Sequence, residues 1–170
     1  MQSESARMAS AAEARFRIDA PNSKPRAIKV IALDRPSDRV VKRLAQATWN
    51  QASFFTASAF AGAPQGTGSF SMTGWLSDVA GRTTDLVNEV DGADLVVMVA
   101  TAGENASAAA IIGEACSVKR VNTTSLIVAG AAASDEALAK TLAQLRPWSL
   151  MLVIASADDY IEDMLRALRA

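Results

Sequence analysis

Residues able to bind or react gather at one corner of the sequence. Thr101, Ala102, Gly103, Glu104 and Asn105, followed by Ser107, join an apolar strand-like run to an Ala-rich helix-like one. Gly103 permits a tight bend, and the backbone N–H groups from Asn105 to Ser107 then point outward at a helix N-terminus, an arrangement suited to an anion such as phosphate. Glu104 opposes this, because a carboxylate beside such a cradle repels phosphate unless Mg²⁺ lies between them. Glu104 or Asn105 serves equally well as the helix cap. Thr101, Gly103, Glu104, Asn105 and Ser107 are therefore candidate ligand-binding residues, with a plain corner between core elements as the alternative.

Two further stretches carry candidates. In Leu33-Asp34-Arg35-Pro36-Ser37-Asp38-Arg39, Asp34 is placed to orient a ribose or an ion, or simply to start a helix turn. That stretch has no glycine, so it is neither a dinucleotide fingerprint nor a P-loop, both of which need glycines to bring N–H groups against phosphate. Gly66, Gly68 and Ser69, in the run 66–71, offer a second phosphate contact, although the same composition suits any flexible loop. Cys116 sits mid-helix among Ala and Ile and reads as an inert buried thiol. No catalytic residue, metal site or particular cofactor follows from these patterns.

Composition narrows the chemistry further. The 170 residues include 17 basic and 18 acidic ones, so no charge excess points to nucleic acid or to an anionic membrane surface. There is no histidine, which excludes His-dependent triads, His-based zinc sites and imidazole relays. One cysteine cannot form an internal disulfide. The apolar runs are strand-length, well short of the roughly 18 to 20 residues that cross a bilayer. No secretory or transit pattern is seen, so the expected location is cytoplasmic.

The elements that must position these candidates follow from periodicity. Residues 1–26 read as an N-terminal arm and 27–170 as a single domain. Apolar runs at 27–33, 53–60, 93–101, 124–132 and 149–156 read as strands, with 93–101 the most apolar and hence central. Helices are expected after Pro36, over 82–91, over 105–119, after Ser134 and after Ser156 or Asp158. Residues 61–75 form the longest irregular stretch, a lid or a connector. The alternation predicts an α/β fold, a three-layer Rossmann-like doubly wound sheet of about five mostly parallel strands. In such sheets ligands bind at the carboxyl ends of the strands, where the strand order reverses.

Residues 92–115, GADLVVMVATAGENASAAAIIGEA, resemble the stretch of the tubulin/FtsZ GTPases in which an apolar strand, TAG, a glycine-rich phosphate loop and an Ala-led helix follow one another. The later runs SLIVAG and LMLVIAS have similar spacing. The glycine-rich signature of that family is reduced here to Gly103-Glu104-Asn105-Ala106-Ser107, and its first-loop glycines are replaced by Arg35-Pro36-Ser37. The resemblance thus implies a shared Rossmann-like core without a competent GTPase. The leading expectation is a domain that binds a nucleotide-like or other small anionic ligand above the strand ends. Alternatives are a non-catalytic interaction or assembly module forming a homo-oligomer, and an enzyme using Mg²⁺ with Asp34, Glu104 and Asp158.

Overall fold

A computed structural model describes residues 24–57, 75–156 and 158–170. The expected arm, up to residue 23, and the irregular stretch holding Gly66, Gly68 and Ser69 lie outside the described residues. In chain order the elements are β1 (Ile28–Ala32), α1 (Arg35–Leu44), β2 (Ala52–Thr56), β3 (Leu76–Asp78), β4 (Thr83–Thr84) and α2 (Leu86–Asp91). They continue with β5 (Leu95–Thr101), α3 (Ala108–Lys119), β6 (Asn122–Val128), α4 (Asp135–Leu145), a 3-10 turn (Arg146–Trp148), β7 (Met151–Ala155) and α5 (Asp158–Ala167).

The strands form one sheet in the order β4-β3-β2-β1-β5-β6-β7. The five expected strands are mutually parallel, while β3 and β4 add an antiparallel hairpin beyond β2. Counted in chain order, the parallel strands lie 2-1-3-4-5, the flavodoxin-type order of doubly wound sheets, whose direction of travel reverses between its first and third strands. That reversal falls between β1 and β5.

The layers follow from the period-two alternation of strands. On β5, Val96, Met98 and Ala100 face one way, packing with Leu86, Val90, Ile112, Cys116 and Leu145 of α2, α3 and α4. Leu95, Val97 and Val99 face the other way, against Val40, Val41 and Leu44 of α1 and Ile161 and Leu165 of α5. Covered on both faces, residues 95–100 are all buried, which is why the run reads as continuously apolar.

Caps set the helix starts. The Asp34 side chain accepts from the Ser37 N–H and the Ser37 hydroxyl closes a capping box, with Pro36 in the first turn of α1. The helix expected over 82–91 begins only at Leu86, because Thr83 and Thr84 pair with Ser77 and Leu76 and the Asp85 carboxylate caps the Val87 N–H. Similarly α3 starts at Ala108 rather than near residue 105, and β6 spans 122–128 rather than 124–132. The 3-10 turn after α4 is anchored to β6: the Thr123 hydroxyl donates to the Trp148 carbonyl at 2.6 Å, and Ser125 and Ser149 share a hydrogen bond.

Candidate functional site

At the reversal point, Asp34 ties the two diverging strands together. The β1–β5 ladder ends with Ala32 opposite Val99, and the Leu33 N–H still donates to the Val99 carbonyl, which brings Asp34 beside Thr101. Its Oδ2 accepts from the Thr101 N–H at 2.8 Å, and its Oδ1 accepts from the Thr101 hydroxyl at 3.0 Å and the Ser37 N–H at 2.8 Å. A carboxylate offers about four lone-pair positions. Three are taken here, and the residue is only 5% exposed. This is the geometry of a clasp, which leaves little of the carboxylate for a ribose or a cation.

The corner at Gly103 is likewise built from internal bonds. The Glu104 N–H donates to the Thr101 carbonyl at 3.1 Å and Gly103 has φ +89°, the signature of a type II turn with glycine at its third position. The Gly103 N–H donates to the Thr141 hydroxyl at 2.9 Å, and the Ala106 N–H to Gln144 Oε1 at 2.7 Å, both on α4. The Ser107 N–H returns to Asn105 Oδ1 at 3.0 Å, and the Ala109 and Ala110 N–H groups close 3-10 turns onto the Ala106 and Ser107 carbonyls. Of the outward cradle expected from Asn105 to Ser107, the Ala106 and Ser107 N–H groups are already taken by protein acceptors. Glu104, Asn105 and Ser107 remain exposed on the rim, with Thr101 and Gly103 half-buried.

Beside this corner lies an open depression of about 410 Å³, lined by Gly103, Ser134, Glu136, Ala137 and Lys140. Its position is at the carboxyl ends of the strands, where doubly wound sheets hold ligands. Its wall carries one ammonium and one carboxylate, and Glu104 follows Gly103 in the chain, a balance unfavourable to a highly charged phosphate. Among the described residues no three of Asp, Glu, Cys and His cluster in a way that would hold a metal ion. Burial pushes the Cys116 thiol up to about 12, so it carries no thiolate near neutral pH. No described helix is long and apolar enough to cross a membrane.

The opposite kind of surface is found at the β7 edge. Leu150, Met151 and Ile154 are 78%, 40% and 48% exposed, a concentration of large apolar side chains found nowhere else among the described residues. From Pro147 to Ala157 the sequence carries no charge. Natural edges are normally guarded by short length, charge, proline or a bulge. The other margin, β4, is two residues long with Arg82 before it, whereas β7 is five residues long, carries no charge and has no further described strand beside it. The sequence marks 149–156 as the last strand without placing it at the margin, because an apolar run reads the same at the centre of a sheet and at its edge. The missing charge was the available signal. No protein-family model matches the chain and no curated protein matches it, so the resemblance of residues 92–115 to the tubulin/FtsZ GTPases rests on that segment itself.

Proposed function

We propose that the domain is a non-catalytic assembly module that joins copies of itself through the β7 edge. The single observation that carries this reading is the margin itself: a five-residue strand without charge, with Met151 and Ile154 exposed on it and Leu150 exposed just before it. Backbone groups on such an edge gain partners when another strand is added, and the apolar side chains leave water at the same time. The strand-end corner supports the non-catalytic half of the reading, because Asp34, Gly103 and Ala106 are committed to internal bonds. Sedimentation velocity over a dilution series tests it. The wild type should gain mass with concentration while Ile154→Lys stays monomeric, and a wild type that sediments as a monomer throughout would sink the reading.

A second reading is favoured by the depression beside Gly103: a small nucleotide-like or anionic ligand whose negative group meets Lys140 and the Ser134 hydroxyl. Bound ligand raises the melting temperature as RT ln(1 + [L]/Kd), so a thermal-shift panel of nucleotides and dinucleotides reads it directly. A flat response across the panel, or stabilisation that survives Lys140→Ala, counts against it.

A further inference from the structure

We infer that the partner at β7 is one second copy, related by a two-fold axis at Val153 with the two strands antiparallel; this rests on the assembly reading above and specifies its geometry. The direction of the backbone groups decides the register. The Ala129 N–H donates to the Ala155 carbonyl at 2.9 Å, the bond that the parallel Val128–Ala155 pair requires. Alternation then turns the backbone groups of Met151, Val153 and Ala155 towards β6, and those of Leu152 and Ile154 towards the side where no described strand lies. In an antiparallel pair, directly opposed residues exchange both bonds at every second position. An axis at Val153 sets Leu152 opposite the partner's Ile154 and Ile154 opposite the partner's Leu152, so every outward group of both strands is satisfied. An axis at Leu152 or Ile154 pushes part of that exchange beyond the end of β7.

Area agrees with this arrangement. An edge about 17 Å long and three layers, roughly 30 Å, deep offers on the order of 500 Å² per copy. Two copies bury about 1,000 Å², the lower limit for a specific interface, which fits a reversible dimer.

A cysteine at the axis tests the register. Non-bonded antiparallel pairs bring Cα atoms to about 4.5 Å, within reach of a disulfide. Cys116, the only native cysteine, is buried and stays out of the reaction. Under mild oxidation at about the dimer Kd, Val153→Cys should give a disulfide-linked dimer at least tenfold faster than Met151→Cys, whose neighbour across the axis is the partner's Ala155. Adding Ile154→Lys to Val153→Cys should abolish the cross-link while the circular dichroism spectrum stays unchanged. Equal rates for the two cysteine variants in a protein that still self-associates would overturn the register and leave the assembly reading standing. A protein that neither self-associates nor cross-links removes both.

Discussion

Asp34 and Thr101 lie 67 residues apart in the chain and are joined by two hydrogen bonds, from the Thr101 N–H at 2.8 Å and its hydroxyl at 3.0 Å. The same carboxylate caps α1, so one side chain fixes both a helix start and the spacing of two strand ends. Loss of a cap costs about 1 kcal/mol, and a buried donor left without an acceptor costs roughly 1–3 kcal/mol. Asp34→Ala should therefore lower the unfolding free energy by about 2–4 kcal/mol. Thr101→Val, which keeps the N–H bond, should lower it by about 1 kcal/mol. Urea denaturation followed by circular dichroism measures both, and an Asp34→Ala midpoint equal to the wild type would show that the clasp carries no stability.

Gly113 seats Trp148. A Cβ added at Gly113 would stand 2.6 Å from Trp148 Cε3 and 2.7 Å from its Cβ. Helix propensity alone favours Gly→Ala by about 1 kcal/mol, whereas overfilling a packed site costs typically 1–3 kcal/mol. The clash involves the ring and Cβ of Trp148 rather than the end of a flexible chain, so the unfavourable effect wins and Gly113→Ala should lower the melting temperature. In a Trp148→Gly background the sign should reverse, since both the ring and its Cβ are gone. A double-mutant cycle that shows simple additivity would refute the seat.

At Gly103 the constraint is conformational as well as steric. Its φ of +89° lies where side chains are disfavoured, and a Cβ there would meet the Cβ of Ala137 at 3.2 Å. The left-handed region costs an L-residue roughly 1–2 kcal/mol. Gly103→Ala should lose about that much stability. Recovery by Ala137→Gly would be partial, because space is returned and the backbone strain is not. Full recovery would mean that the turn itself is unstrained.

Burial raises the Cys116 thiol to about 12 from an ordinary 9.0. A raised acid binds its proton more tightly when folded, so the folded state is favoured below the unfolded value and loses that advantage as pH climbs from about 9 to 12. Below pH 8 the thiol should leave a thiol-reactive chromophore untouched over hours in the native protein and titrate as one equivalent in denaturant. Rapid native labelling would place the thiol at the surface. Alkaline denaturation should be less steep in Cys116→Ala.

Much of the fold is legible locally, and the site is not. The run at 93–101 announces a central parallel strand because a strand covered on both faces stays apolar along its length, while 27–33 and 149–156 are recognisable as strands from their β-branched apolar runs without showing where in the sheet they lie. The β3–β4 hairpin escapes notice, since Leu76–Asp78 and Thr83–Thr84 are too short to show a period. Asp34 and Ser37 display a capping spacing in the sequence, but the tie to Thr101 is a tertiary contact that no local spacing expresses. Gly103 is recognisable as a turn residue. Thr141 and Gln144, which consume the donors of that corner, look like ordinary members of α4 until its packing is known.

The hairpin beyond β2 also decides how far association can run. Its last strand, Thr83–Thr84, is too short to template a neighbour, so among the described strands β7 is the one margin open to the proposed pairing. In the proposed dimer the dyad consumes that margin, and no other described strand edge of that length remains to recruit a third chain. In that dimer the strand that in a two-sided sheet would seed an unlimited fibre is held in a closed pair, and a mutation lengthening β4 would be the change that releases filament growth.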